Sequence, residues 1–514
     1  MTADFIVEDQ GPQLARLTQG ADRRIDTHAS AVFLKGAHVY KLKRAVRFSF
    51  MDFSTAEKRR AAAEREVTLN RRTAPDLYLG VAPIVAGEEG ARLGEIGETP
   101  SAALDWVVVM RRFDEDSLFD RQAADGRLTA AKLSDLAREI ARFHREAERV
   151  KDVDWASAAA KIARDTIQDM RADDGLDRRA VERLARGTEK ALAERAEALA
   201  ARSASVRRCH GDLHLRNICE IAGRPTLFDG IEFNDAFANI DPLYDLAFLL
   251  MDLDHRGLTP EAALVRDRWL EVWDDPAGQG LSPLYLSMRA AIRAKVSAAG
   301  AAVQEDPQEA AAMREEAARY LARAADHLRA KPVRLIAIGG FSGSGKSTLA
   351  RAIAPSVGGP PGAVVVRTDQ LRKARFGAAE TAPLPADAYD EAVSVAVYAE
   401  MESRAAALLA EGVGVIADAT FTHPESRARI EAAAQAAGVP FQGLWLDAPA
   451  EVMAARIAGR RGDASDADET VLKAQLEAGA GSVDWPRLTA DRSISDLSGR
   501  ALRMLERDDG RDAR

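Results

Sequence analysis

The chain has 514 residues, two cysteines, 47% hydrophobic and 29% charged residues, and a formal net charge of −9. That length exceeds what one hydrophobic core holds, at about one domain per ~150 residues, and the composition excludes disordered and fibrous classes. Cys209 and Cys219 lack C-x-x-C spacing, which excludes a disulfide framework and points to a reducing cytoplasm, while the negative balance argues against a nucleic-acid partner held by counterion release. Residues 1–11 lack the basic and apolar regions of a secretory signal, and no apolar run nears the ~20 residues of a membrane helix, so no membrane association is expected.

In chain order, Ala31–Leu34 and Val39–Leu42 read as strands around a Lys-Gly-Ala-His turn, Ala56–Arg71 as a charged helix and Trp106–Met110 as a further strand. These make residues 1–112 a small mixed lobe. Residues 113–330 turn helical: Leu133, Leu136, Ile140 and Phe143 recur at helical spacing, and Ala156–Ser203 is rich in alanine and charge. Asp306-Pro307 with Glu309 starts another helix, which Pro332 ends. A buried-strand pattern begins at Val333, so residues 333–514 form another domain, and the short connector implies that the two halves pack together.

In the first half, His210-Gly-Asp212 leads through Asn217 to a Gly-Arg-Pro turn and Asp229. An aspartate in a tight loop can take a hydroxyl proton, an asparagine five residues on can hold magnesium, and a returning hairpin can bring a second carboxylate to the metal. A metal site of His210, Asp212 and His214 is one rival reading, which leaves Asn217 and Asp229 unexplained, and a satisfied structural loop is another. The pattern H-G-D-x-x-x-x-N with a following aspartate resembles the aminoglycoside phosphotransferase and choline kinase family, which has a two-lobed protein-kinase-like α+β fold. That resemblance implies Asp212 as catalytic base, Asn217 and Asp229 as magnesium ligands and His210 as loop support. It implies also a strand lysine on the nucleotide phosphates, Lys41 or Lys43 with Lys41 preferred, and a helical glutamate, Glu66 with Glu64 as competitor. Asp241-Pro242 caps a helix whose Asp245 reads either as a brace for the loop or as a simple helical polar position, and His144 reads as a packing or surface residue. The family's glycine-rich loop is not evident, and Glu232 stands in Asp-Gly-Ile-Glu where choline kinases read Asp-Phe-Glu.

In the second half, Gly340-Phe-Ser342-Gly343-Ser344-Gly345-Lys346-Ser347-Thr348 matches G-x-x-x-x-G-K-[ST] between a buried strand and a helix start. Backbone N–H groups there converge on phosphate, Lys346 reaches the outer phosphates and Ser347 holds magnesium. Strands ending at Asp369 and Asp418 direct both carboxylates to the ligand edge of a parallel sheet, Asp418 toward magnesium and Asp369 with Arg372 toward a hydroxyl acceptor. A simple helix cap is the bland reading of Asp369. Arg456, Arg460 and Arg461 precede the polar stretch 462–468 and read as a lid over the triphosphate, with an exposed basic helix face as the alternative. The order resembles P-loop small-molecule kinases of the gluconate kinase and adenylylsulfate kinase type, and the Asp-x-x-Arg pair resembles polynucleotide 5′-hydroxyl kinases.

The whole chain resembles bacterial two-domain proteins that fuse an aminoglycoside-phosphotransferase-like domain to a P-loop domain often labelled an AAA-family ATPase. The resemblance implies an α/β multidomain protein with two ATP sites, magnesium as cofactor, and phosphoryl transfer to a small-molecule hydroxyl. The open alternatives are a nucleotide switch or ATPase regulating the kinase-like half, a 5′-hydroxyl polynucleotide kinase activity, and a first half that binds nucleotide without turnover.

Overall fold

The computed structural model describes residues 6–27, 29–48, 51–87, 90–459, 464–490 and 493–509, with side chains as far as 506. It divides into two compact units, residues 1–252 with 288–324, and residues 253–287 with 325–514.

The first unit begins with strands β1 (Arg23–Asp26), β2 (Ser30–Lys35) and β3 (His38–Lys43), helix α1 (Ala56–Asn70), and strands β4 (Tyr78–Gly87), β5 (Gly90–Leu93) and β6 (Asp105–Arg111). They form an antiparallel sheet in the order β1-β2-β3-β6-β4-β5. β6 reads as an unbroken apolar run because both of its faces are covered. Val107 and Val109 join Phe33, Leu42 and Ile84 on one side, while Val108 and Met110 meet Ala63 and Val67 of α1 on the other. Each such side chain contributes roughly 1.5–3 kcal/mol of burial. α1 starts at its cap Thr55 and has little apolar character. Its inner face instead buries Arg59 and Glu66, and Arg59 bonds Asp105 at 2.8 and 3.0 Å.

The helical portion includes α2 (Ala130–Glu146), which buries Leu133, Leu136, Ile140 and Phe143 at the spacing read from sequence. The hairpin β7 (Ile218–Ile221) and β8 (Arg224–Leu227) follows the His210-Gly-Asp212 motif. Helix α3 (Pro242–His255) starts where Asp241 accepts from Leu243 N at 3.0 Å, with Asp241 fixed by both arms of Arg202 at 2.7 and 2.8 Å.

The second unit takes in α4 (Thr259–Trp273). The chain continues through α5 (Ser282–Val303) and α6 (Pro307–His327), where Asp306 caps α6 through Gln308 N at 2.7 Å. Then come β9 (Leu335–Gly339), α7 (Lys346–Ile353), β10 (Val364–Arg367), α8 (Thr368–Arg375), α9 (Glu391–Ala410), β11 (Val415–Asp418), β12 (Phe441–Asp447), α10 (Ala450–Ala458), α11 (Glu469–Ala478), β13 (Arg487–Thr489) and α12 (Ile494–Asp509). The five strands are all parallel in the order β10-β11-β9-β12-β13. Ile336, Ile338, Leu349, Ile353, Ile416, Leu444 and Leu446 form much of their core. Parallel strands put every carboxyl end at one edge, where the phosphate-loop motif and both strand-end aspartates sit.

β10 is one of the two edge strands, and α4 fastens it. Arg266 donates to Gly362 O and, at 2.6 Å, to Ala363 O, while Asp267 accepts from Val365 N at 3.3 Å. Arg268 pairs with Glu271 and Glu380 at 2.8 and 2.7 Å. An edge strand leaves backbone groups without ladder partners, and these side chains supply them. Arg266→Leu should therefore lower the stability of this unit by about 2–3 kcal/mol, the cost of stranding buried acceptors. It would be read as an earlier urea transition with faster amide exchange across Val364–Arg367.

Candidate functional site

In the first unit the loop of the His210-Gly-Asp212 motif hangs from one buried carboxylate. Asp245, in the first turn of α3, accepts the backbone N–H groups of His210 and Gly211 at 3.0 and 2.9 Å, and His144 Nε2 lies 3.1 Å from it. His144 is thus a buried packing residue with a fixed partner. Gly211 has φ +86°, and a side chain there would meet Phe237 O at 2.8 Å, so the turn accepts glycine alone. His210 accepts from Asp212 N through Nδ1 at 3.3 Å, which leaves Nε2–H to donate to Phe228 O at 2.9 Å. Burial holds this imidazole below its ordinary pKa, so it is neutral.

Asp212 emerges from that turn. Asn217 Nδ2 donates to its carbonyl and to Oδ2, both at 3.0 Å, and His214 Nε2 lies 3.4 Å from Oδ2. Burial would raise the Asp212 pKa, but His214, His210 and Arg293 outweigh it and hold the carboxyl well below its usual range. With the Asn217 nitrogen engaged, its Oδ1 is the atom suited to a cation. The rival cluster of His210, Asp212 and His214 does not assemble. Among the described residues the triple close enough to hold a metal is His144, Cys209 and Asp245, and there Asp245 already serves the loop.

After β8 the chain bends at Asp229, which has φ 61°. A non-glycine residue in this region costs about 1 kcal/mol or more and needs external support. Tyr78 OH accepts from Asp229 N at 3.1 Å, and Asn70, one turn beyond Glu66 on α1, accepts from Gly230 N at 2.7 Å. Neither Tyr78 nor Asn70 carries a signal in the motif. The lysine choice is resolved into a pair. Lys41 Nζ meets Glu66 Oε1 at 2.9 Å and Asp229 Oδ1 at 2.6 Å, while Lys43 Nζ meets Glu66 Oε2 at 2.7 Å and also Glu232. Glu66 is buried beneath both lysines, whereas Glu64 pairs with Arg60 on the outer face. Burial would lower the Lys41 pKa; Asp229, Glu66 and Glu232 outweigh it and hold the ammonium well above its ordinary value. Glu232, raised by burial against the pull of Lys43, is the counter-charge of that lysine rather than an open ligand. Where a glycine-rich loop would lie, β1 and β2 join through Thr27, whose N–H and hydroxyl both donate to Ser30 O.

In the second unit, β9 runs into the loop and α7 starts at Lys346 with Gly345 as its cap. Gly343 has φ +79°, and a side chain there would strike Met453 O at 2.5 Å. Lys346 Nζ donates to Phe341 O at 3.0 Å, and Arg456 on α10 donates to Ser344 O at 3.1 Å and Ala490 O at 2.6 Å. Ser342 N donates to Gln475 Oε1 of α11 at 2.9 Å. Ser344 Oγ is buried without a partner, Ser347 is half-buried and Thr348 is exposed in the first turn of α7. Arg460 and Arg461 lie outside the described residues.

Asp418 stands in register with Ile338 of β9 and Arg367 of β10, and Arg367 Nε meets its Oδ2 at 3.2 Å. Asp369 is the second residue of α8, in its first turn, with Arg367 at the N-cap position. Arg372 is buried and donates to Ala388 O and, at 3.3 Å, to Ser394 Oγ, with its guanidinium 5.0 Å from the Tyr389 ring. Beyond the expected lid residues, Asp466 accepts from Lys373 at 2.6 Å, Tyr389 OH at 2.7 Å and Leu384 N at 3.1 Å. The described part of that stretch is therefore tied to the Asp369–Arg372 side. Sequence gave no sign of this, because a lone aspartate in a polar segment carries no periodic or motif signal.

Both sites suit a nucleotide triphosphate with a divalent cation in their donor sets. Asn217 and Asp229 offer hard oxygen ligands beside a lysine in one, and Ser347 and Asp418 offer them beside the glycine cradle and Lys346 in the other. No helix among the described residues is long and apolar enough to cross a membrane.

Two family models match the chain: the phosphotransferase enzyme family over residues 33–281, and the AAA domain over residues 335–480. Uncharacterized proteins of Mycobacterium bovis and Mycobacterium tuberculosis are each 32% identical over 474 residues, covering 90% of this chain and 90% of theirs. Among solved structures, a sugar kinase from Janibacter sp. is 24% identical over 34% of this chain and 95% of its own, with a TM-score of 0.27. A choline/ethanolamine kinase family protein from Mesorhizobium loti is 14% identical over 61% and 95%, with a TM-score of 0.34. The chain belongs to the two-domain family of these mycobacterial proteins, a phosphotransferase-family domain joined to an AAA-type P-loop kinase domain, and is an ATP-dependent kinase or phosphotransferase.

Proposed function

We propose that the chain carries two separate Mg·ATP-dependent phosphotransfer sites, each serving a small-molecule hydroxyl acceptor. The observation that carries this reading is the chain of alternating charges Asp229–Lys41–Glu66–Lys43–Glu232 beside the Asp212–Asn217 pair, in a unit distinct from the one that holds the phosphate loop. In the first site Lys41 orients the phosphates, Asn217 and Asp229 hold magnesium, and ionised Asp212 takes the acceptor proton as the phosphoryl group moves. Magnesium supplies charge neutralisation at the transferring phosphate.

In the second site the loop from Gly340 to Thr348 and Lys346 hold the phosphates, Ser347 and Asp418 hold magnesium, and Asp369 faces the acceptor. Arg372 orders the segment around Tyr389 and is the cation available to acceptor or phosphate. We place the domain limits at a small lobe over 1–112, a helical lobe over 113–330 and a P-loop domain over 333–514, with residues 253–287 of the helical lobe falling in the compact unit that holds the loop.

A screen of metabolites with γ-labelled ATP tests this assignment. Asp212→Asn should cut one labelled product about 10²–10⁴-fold, the usual worth of a positioned general base. Lys346→Ala should abolish a different product, and each variant should spare the other's. Loss of neither product in Asp212→Asn sinks the first assignment, and fast acceptor-independent hydrolysis removed by Lys346→Ala would make the second unit a switch.

Asp245→Ala provides a further check. It strands two backbone N–H groups and His144 in the interior, so the first unit should lose about 3 kcal/mol or more in stability. The Asp212-dependent product should fall with it, while the Lys346-dependent product stays.

A further inference from the structure

We propose that Arg293 of α5 recognises the acceptor of the first site, and that this acceptor carries an anion, a carboxylate or a phosphate, in addition to the hydroxyl it presents to Asp212. The inference rests on the reading of Asp212 as the base of a phosphotransfer site.

Two helices bring ionic side chains to the His210-Gly-Asp212 loop, and most of them are spent on its backbone. On α3, Asp245 accepts from His210 N and Gly211 N, and Asp252, two turns on, accepts from Leu215 N at 3.0 Å. On α5, Arg289 donates to Gly211 O at 3.2 Å and to Tyr244 O at 3.1 Å, with its guanidinium carbon 3.9 Å from the centre of the Tyr244 ring. Arg293 follows four residues later on the same face of the helix. Among the described residues it makes no bond to the loop backbone and no ion pair with a carboxylate.

What Arg293 does meet is neutral. It hydrogen-bonds the hydroxyl of Tyr320 on α6, and its guanidinium carbon lies 5.8 Å from the centre of that ring. Tyr320 is buried and Arg293 half-buried, so the side chain is braced against the helical lobe while part of it stays accessible. Its charge reaches Asp212: together with His214 and His210 it draws that carboxyl well below the usual carboxylate range. An arginine beside the base, with no carboxylate of its own, is a fork of donors with capacity left for an anion.

The two residues fix the order of the acceptor's groups, hydroxyl toward Asp212 and anion toward Arg293. In the transfer, the hydroxyl oxygen bonds the γ-phosphorus as that phosphorus leaves the bridging oxygen of ADP, and the hydroxyl proton passes to Asp212. An amine in place of the anion would meet Arg293 as a like charge, which disfavours it. The side chains around Asp212 therefore select hydroxy acids or sugar phosphates over amino alcohols.

The test is transfer from γ-labelled ATP by the full chain carrying Lys346→Ala, which leaves the first site as the source of product. The acceptors are hydroxy acids and sugar phosphates, each run beside its neutral alcohol and its amino alcohol, and the two anionic arms tell carboxylate from phosphate. Asp212-dependent labelling should be confined to anionic members. Arg293→Gln should raise KM for the labelled acceptor about tenfold to a hundredfold, the worth of charge-assisted hydrogen bonds. Its kcat should stay within about threefold, because Asp212 keeps Asn217 and His214 as partners. Arg293→Lys, which retains the charge, should recover part of the KM. Asp212-dependent labelling of neutral or amino members as fast as anionic ones, or an unchanged KM in Arg293→Gln, would overturn the proposal. Equal losses in Arg293→Gln and Arg293→Lys with earlier unfolding in urea would also overturn it, by making Arg293 a strut for α6. Absence of any Asp212-dependent product is the failure of the first-site reading itself, and it shows before Arg293 is changed.

Discussion

Phosphate chemistry in this chain depends on backbone bent where side chains ordinarily forbid it, and both units are built to hold those bends. In the first, Gly211 has φ +86° under Phe237 O, and Asp229 has φ 61°. In the second, Gly343 has φ +79° against Met453 O. Such conformations are not stable in isolation and persist because surrounding groups over-determine them. Asp245 fixes the first bend through two N–H groups, Tyr78 and Asn70 fix the second, and a parallel sheet delivering β9 into α7 fixes the third.

From these bends the electrostatics follow. The buried Glu66 is shared, one oxygen to Lys41 and the other to Lys43. Burying a charge without compensation is prohibitive, and two lysines between three carboxylates supply that compensation. Lys43 neutralises Glu66 independently of Lys41, so the phosphate role proposed for Lys41 leaves no buried charge unpaired. It also explains why Glu232, one residue beyond the expected aspartate loop, faces inward to Lys43 instead of toward a metal.

Much of this was legible in the sequence wherever a periodic or spaced signal exists. The heptad-like spacing of Leu133, Leu136, Ile140 and Phe143, the cap at Asp241-Pro242, the valine-rich strand before Thr368 and the loop before Lys346 each come from a local rule that the packing obeys. The H-G-D-x-x-x-x-N pattern likewise brings Asp212 and Asn217 together, because five residues of tight loop leave few other outcomes. What stayed hidden is non-local. Tyr78, Asn70, Asp466 and Gln475 act on partners 93 to 160 positions away, and nothing in their own neighbourhoods marks them. The last strand, Arg487–Thr489, is three residues long and too short for alternation to register. The edge-strand contacts of Arg266 and Asp267 were missed for a related reason: helix α4 carries its polar residues inward, against the usual amphipathic rule.

The central claim is that two independent nucleotide sites share one chain. Equilibrium binding of Mg·ATP to the full chain measures it most directly. The account predicts about two nucleotides per wild-type chain, about one in Lys346→Ala, about one in Asp229→Ala and none in the double variant, since the proposal gives each unit its own phosphate and metal contacts. A single nucleotide per wild-type chain, or loss of both by either substitution alone, would contradict it.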